Sequence, residues 1–455
     1  MNQRRTRRVL VVGAGVAGLS AAHYLKKRGF EVEILERESV SGGAVRSAMR
    51  DDKYLVEYGP NAFLASADPL IRLARELSIE PLIVGSDEAS RKRYIYSRGR
   101  MQKLPDGPLS FLKSPLMSLG GKLRLMAEPF VRSKSPPSET LANFVTRRAG
   151  GEVLSTLVDP FVSGVWAGDA GELEAESCFP RLVEVEREFG SVMRGMRKLA
   201  GGVRKRGLFS FRWGMGTVTA RLEEELKSQV RNGAFVEGLE RGSDGLWRAR
   251  GQGCDSTGGA DAVVVAAQAH AAARFLIHVD PNLFSLLQGI RYASLAVVHT
   301  SFRDKDLPEK LDGFGVLVPR SEGIRLLGSI WSSSIFPGRC PRGETLLTNF
   351  IGGATDPSLV DLSDEDIASE VISGLKAVMG IISPPVYFAV KRWGQAIPQY
   401  TVGHRERVAS IFERAGALPG LFLTGAWADG ISVSDTVAHA RATVDKVAEY
   451  LKGLT

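Results

Sequence analysis

The stretch Arg8–Ser39, RVLVVGAGVAGLSAAHYLKKRGFEVEILERES, constrains the fold more than any other part of the chain. Val9–Val12 has the length and β-branched apolar character of a buried strand, helical periodicity follows to about Arg28, and Glu31–Leu35 reads as a second strand running into an acid. Gly13, Gly15 and Gly18 form G-x-G-x-x-G between the first strand and the helix. In such a unit the first glycine permits a tight turn, the second lets backbone approach a pyrophosphate, and the third lets helix pack close on strand. The helix N-terminus offers the phosphates its unpaired N–H groups and the positive end of its dipole. Glu36 is spaced to bond a ribose hydroxyl. Strand, glycines, helix and acid in one register predict a dinucleotide site, because a merely structural glycine turn does not account for the acid.

Two further features favour FAD over NAD. SGGAVRS supplies a second glycine pair, Gly42 and Gly43, with Arg46 behind it, which suits an extended diphosphate held along its length. Near the C-terminus, GLFLTGAWADGISVSDTVAHARATVDKVAEYL reads as a strand (Leu421–Thr424), a loop with Gly425 and Gly430, then Ile431, Ser432 and Val433 opening an amphipathic helix. This resembles the last strand and helix of a flavoprotein Rossmann domain, returning to the flavin after a long excursion. The sequence contains no second G-x-G-x-x-G, so one FAD and no NAD(P) site is the expectation.

With 455 residues, 44% hydrophobic and 24% charged, the chain has ordinary globular composition and room for about three domains. No apolar run approaches the roughly 18 residues that span a bilayer. The paired arginines of MNQRRTRRVLVVGAG precede an apolar run too short for a signal peptide. Three cysteines without C-x-x-C spacing argue against a disulfide framework or a metal site, and the reducing cytoplasm is the expected compartment. The net charge of +8 is concentrated between Arg91 and Lys134, where Asp106 and Glu128 are the only acids. A second basic cluster spans Arg194, Arg197, Lys198, Arg204, Lys205 and Arg206. No nucleic-acid-binding motif accompanies either, so nucleic acid is not an expected partner. The segment Leu104–Lys134 interleaves Leu, Met and Phe with Lys and Arg, a composition suited to an anionic membrane surface or to the apolar face of a helical bundle.

The motifs VVGAGVAGLSAAHYL, KRYIYSRGR, DPFVSGVWAGD, GFGVLVP, LGSIWSSSIFPGR, NFIGGA and RWGQAIPQYTVGHRERV run nearly from end to end. With them the sequence resembles the flavin monoamine-oxidase-like superfamily and, within it, the protoporphyrinogen oxidase family. Ala426, where members commonly carry Asn, and Ser432, where some carry Gly, depart from the family pattern. The resemblance implies an α/β (α+β mixed) chain with a discontinuous Rossmann-type FAD-binding domain (1–65, 212–275 and 415–455). A sheet-based substrate domain (66–93 and 276–414) and a helical membrane-docking insertion (94–211) complete it. It implies an FAD-dependent enzyme that is cytoplasmic and peripherally membrane-associated. The implied reaction is the six-electron oxidation of protoporphyrinogen IX to protoporphyrin IX, with hydride passing to flavin N5 and molecular oxygen as acceptor, giving hydrogen peroxide.

Position by position, the resemblance makes Arg93 the partner of a substrate propionate, Phe350 a ring stacked on a pyrrole, and Leu317 and Ile330 the aliphatic pair on the other side. It makes Gly164 a close backbone approach and sets Trp393 and Val236 beside the flavin and its adenine. Asn61 is read toward the flavin's reactive face. No catalytic acid or base is implied, since a methylene flanked by two pyrroles leaves a stabilised cation that sheds an N–H proton. His404 is expected to be structural. Coproporphyrinogen III as substrate, an amine oxidase, and a non-catalytic flavin- or porphyrin-binding membrane adaptor are the rival readings. A homodimer and docking of a ferrochelatase stay open.

Overall fold

The glycine motif seeds a parallel sheet assembled from three distant parts of the chain. The computed structural model describes residues 6–199, 207–254 and 258–454. Its nucleotide sheet has the strand order Val230–Asn232, Glu31–Glu36, Arg8–Val12, Ala262–Val265, Leu421–Leu423, every pairing parallel. The central strands Arg8–Val12 and Ala262–Val265 are buried on both faces because packed elements cover both. Val9, Val11 and Ile34 pack with the helices Val16–Lys27 and Val433–Gly453, whereas Leu10, Val12 and Leu35 pack with Ala269–Leu276, Pro281–Gln288 and His404–Gly416.

A seven-stranded sheet stands beside it in the order Tyr387–Pro398, Tyr292–Arg303, Glu344–Gly352, Leu326–Ile330, Gly315–Leu317, Tyr94–Ser97, Arg100–Lys103. Val298, Val316, Leu347 and Ile351 bury one face against Ile367, Val371 and Leu375 of the helix Asp364–Met379. Register decides what the other face carries. Leu317 pairs with Gly328, Gly328 with Phe350, Phe350 with Val297 and Val297 with Lys391. Directly opposed residues share a face. In the next row on that face Gly315 pairs with Ile330, Ile330 with Thr348 and Thr348 with His299.

The expected boundaries need three corrections. Residues 94–103 form a hairpin that extends the large sheet, rather than opening the helical insertion; the β-branched and aromatic character of Tyr94–Ser97 outweighs its helical neighbours. Within 66–93, Leu70, Leu73, Ala74, Leu77 and Ile79 pack in the nucleotide core, so the helix Asp68–Glu76 belongs there instead of with the substrate sheet. The helix Pro281–Gln288 and most of His404–Gly416, assigned to the range 276–414, also pack on the nucleotide sheet.

The helical part is built around Leu116, Met117, Phe144, Val145, Trp166 and Val183. Beneath it the buried Glu128 accepts from the Arg148 guanidinium, from Ser191 Oγ and from the N–H groups of Val192 and Met193. Arg147 joins Glu139 and Glu186. Buried charges persist when paired and hydrogen-bonded in this way.

Candidate active site

The glycines divide by what a side chain would meet. A Cβ on Gly18 would come 1.8 Å from the Gly13 carbonyl oxygen, and one on Gly13, at φ +102°, 2.8 Å from that of Ala266. These two pack the turn onto the sheet. A Cβ on Gly15 would meet nothing within 4 Å. The open approach is therefore at the helix N-terminus, where a diphosphate fits. Gly42 N–H donates to the Ala14 carbonyl (2.8 Å), and a Cβ on Gly43 would come 3.3 Å from Gly15 Cα, so the second glycine pair walls the same space. Glu36 ends the strand Glu31–Glu36 beside this turn. It accepts from the N–H groups of Ala14 (2.6 Å) and Glu38 (2.9 Å), so the acid also staples the glycine turn. Val236 is buried among Leu10, Val12 and Leu35, next to the acid's strand.

The Arg46 guanidinium lies 5.4 Å over the Tyr58 ring, and Trp393 Nε1 donates to the Tyr58 carbonyl (2.7 Å). Ser432 accepts from Asp435 N–H and caps the closing helix, whose first residue, Val433, is buried. A Cβ on Gly430 would strike Asp435, while Ile431 packs against the helical core; Gly425 starts the loop under Trp427. Glycine clearance, two loops and a second helix N-terminus make a cradle that fits an extended dinucleotide.

Leu317, Ile330 and Phe350 share the half-buried face of the large sheet that turns toward the helical part. Gly164 reaches it from the helix Asp159–Trp166: a Cβ there would come 2.5 Å from Leu317 Cδ2. Arg320 holds both ends of that helix region through Asp159 and Asp169, and its guanidinium beside Asp169 keeps that carboxyl below the usual range, against the upward push of burial. Arg93, exposed just ahead of Tyr94–Ser97, sets its guanidinium 5.3 Å over the Phe314 ring and makes no ion pair among the described residues. Phe314, Ile330 and Asn61 line one narrow pocket with Ser332, Thr348 and Phe336. Asn61 donates to the Gly59 carbonyl (3.2 Å).

The floor of this pocket escaped sequence reasoning. Glu57 and Arg339, each at most 5% exposed at the side chain, pair at 2.8 Å, and burial pushes the Glu57 carboxyl up. The signal available was an acid within the apolar run Tyr54–Tyr58; Arg339, 282 residues away, had none. Thr348 joins Ser332 (2.8 Å) and the fully buried His299 (3.3 Å), whose imidazole burial pushes down to about 4.

The basic and apolar stretch splits in two. Leu109, Leu119 and Phe130 are 76, 74 and 81% exposed, and Leu112, Leu123 and Met126 also face outward. Phe111, Leu116 and Met117 turn inward with Leu104 and Leu157 around a cavity of about 210 Å³. Of the second basic cluster, Arg204, Lys205 and Arg206 lie outside the described residues.

A family model described as flavin containing amine oxidoreductase matches residues 16–448. The chain is 31% identical to coproporphyrinogen III oxidase of Bacillus subtilis, over 97% of its own length and 98% of the relative's. It is 31% identical to the mitochondrial protoporphyrinogen oxidase of Nicotiana tabacum, over 99% and 96%. A crystal structure from Exiguobacterium sp. 255-15, of a protein proposed to be a protoporphyrinogen oxidase, superimposes with a TM-score of 0.85 at 24% identity, covering 98% and 99% of the two chains. Likeness at that identity speaks for the fold.

Proposed function

We propose that this chain, which belongs to the flavin-containing amine oxidoreductase family, oxidises a porphyrinogen to its porphyrin in tetrapyrrole biosynthesis, with protoporphyrinogen IX as substrate. FAD is its cofactor. The observation that carries this reading is a half-buried sheet face, turned toward the helical part, on which Leu317, Ile330 and Phe350 stand together, with Arg93, which has no ion pair among the described residues, at its margin. A wide apolar ring bearing carboxylates at one edge is the ligand that such a face and such a cation complement. Both relatives named above carry a porphyrinogen in their names.

FAD, when bound, would supply the hydride acceptor, with molecular oxygen as the terminal oxidant. The protein's part is position. Arg93 grips a propionate through a forked, charge-assisted pair worth about 1.5–3 kcal/mol. Phe350 stacks on a pyrrole, adding about 0.5–1.5 kcal/mol beyond burial. Leu317 and Ile330 close on the ring, Gly164 leaves room for it, and Asn61 borders its entry toward the flavin. The substrate's own pyrroles release the proton, so no side chain acts as acid or base. Gly13, Gly15, Gly18, Glu36, Gly42, Gly43, Arg46, Val236, Trp393 and the loop Gly425 to Val433 hold the cofactor.

One observation favours coproporphyrinogen III as a second reading. Lys391 shares the sheet face of Phe350, lies 4.5 Å over the Trp393 ring and has no ion pair among the described residues. A substrate with four propionates would use such an additional cation. Adding each reduced porphyrinogen anaerobically and following flavin bleaching tests both: bleaching marks the enzyme, and the faster porphyrinogen marks the substrate. A flavin that neither bleaches leaves the adaptor reading.

The outward leucines and Phe130, amid Lys113, Arg132 and Lys134, support docking on an anionic membrane surface. No helix among the described residues is long and apolar enough to cross a membrane. Apolar tips entering the headgroup layer while nearby bases meet anionic lipid, at about 1 kcal/mol per base, give peripheral attachment.

A further inference from the structure

The segment IPQYTVGH stood out in the sequence, yet the reaction uses none of its side chains. Its tyrosine, Tyr400, is 2% exposed and sits where the helical part, the large sheet and the loop before the closing helix meet. Its ring stacks on His404 at 4.0 Å with an interplanar angle of 11° and receives the edge of Trp166 at 4.8 Å. Its hydroxyl donates to the Ala426 carbonyl. Its own carbonyl accepts from Glu174 N–H (2.8 Å). The preceding Gln399 donates from Nε2 to the Trp166 carbonyl (2.9 Å).

These contacts join two walls of the candidate site. Trp166 ends the helix whose Gly164 meets Leu317, so the ring contact fixes the substrate-side wall. Ala426 lies in the loop from Gly425 to Ser432, so the hydroxyl fixes the cofactor-side wall. His404, 2% exposed, completes the clamp as a flat neutral surface: neither ring nitrogen has a side-chain partner among the described residues, and the imidazole serves Tyr400 by stacking.

We propose that Tyr400 is a positioning residue that sets the spacing between the Gly164–Leu317 wall and the flavin loop, and hence the distance between substrate and cofactor. This rests on the porphyrinogen reading for where the substrate lies, but not for where the flavin loop lies. Tyr400→Phe keeps both ring contacts and removes only the bond to Ala426. In the FAD-loaded full chain, the variant is expected to shift the visible circular dichroism of the flavin. It should lower kcat about tenfold with KM for protoporphyrinogen IX within about threefold, since lost alignment weakens the transition state more than binding. Trp166→Phe, which loosens the other wall, should instead raise KM and leave the flavin signal as in the wild type.

A wild-type flavin signal and kcat in Tyr400→Phe overturn the proposal. So does a loss of activity that matches a loss of folded protein in a thermal melt. If the wild type does not oxidise porphyrinogens, the flavin signal alone decides: a shift in Tyr400→Phe with none in Trp166→Phe upholds the positioning role while the substrate reading falls. If Tyr400→Phe yields no folded flavoprotein, the residue belongs to the fold and the proposal fails.

Discussion

Two glycines three residues apart carry opposite consequences for the same substitution. Gly18→Ala drives a methyl against backbone that has nowhere to move, and we expect no folded protein on expression. Gly15→Ala faces open space at an ordinary φ of −71°, so the chain should fold, with FAD bound weakly enough to be lost on gel filtration. Gly15→Val should be colourless; a yellow, active Gly15→Val would remove the diphosphate from this place. Arg93→Ala should keep its FAD and spectrum while KM for protoporphyrinogen IX rises roughly 10- to 150-fold, the equivalent of one charge-assisted bond. Arg93→Lys should recover only part, since a point charge cannot form the fork. Steady-state porphyrin fluorescence at several substrate concentrations decides, and a wild-type KM in Arg93→Ala would exclude the residue from the pocket. The glycine turn and the acid that bonds it were legible in their spacing. Glu57 and Arg339 were not, because their pairing is made by the tertiary fold and leaves no spacing to read.

Among the elements, the short helices of the insertion separate surface from core in a way composition cannot. Leu104–Lys134 looked uniformly suited to lipid, yet Phe111 is turned into the helical core while Leu109, two residues away, is not. We expect Leu109→Ser, Leu119→Ser and Phe130→Ser together to abolish sedimentation with anionic liposomes without disturbing the flavin. Phe111→Ser should instead lower thermal stability, as removal of a packed aromatic does. Liposome binding retained by the triple variant would assign the exposed patch to another partner. The helix and strand types of the Rossmann unit followed from period and glycine spacing. The hairpin at 94–103 was missed although its two strands pair locally across Arg98 and Gly99, because the helical run after it set the expected boundary; its place in the large sheet comes from Gly315–Leu317, more than two hundred residues on.

For the whole molecule, two buried histidines predict a stability profile. Burial pushes His299 and His404 down to about 4, whereas the unfolded chain protonates its histidines near 6.5. Between those values the unfolded state binds more protons, so stability falls as pH falls through the window, by up to about 1.4 kcal/mol per unit for each histidine. The raised Glu57 carboxyl works in the opposite sense and softens the trend. Melting temperatures from pH 7.5 to 4.5 should drop, and His404→Gln should flatten the slope; a flat wild-type profile would contradict the burial of both rings. The parallel sheet, where we place the cofactor, draws its strands from distant parts of the chain, Arg8–Val12 and Leu421–Leu423 among them. A ribosome that has just passed Thr401 has made every strand of the large sheet, but not Leu421–Leu423 or the helix Val433–Gly453. The nascent chain thus owns a substrate surface before it owns a complete flavin cradle. Flavin capture should therefore wait until Leu421–Leu423 and Val433–Gly453 have been made, and ribosome-bound chains stalled at Thr401 should be colourless.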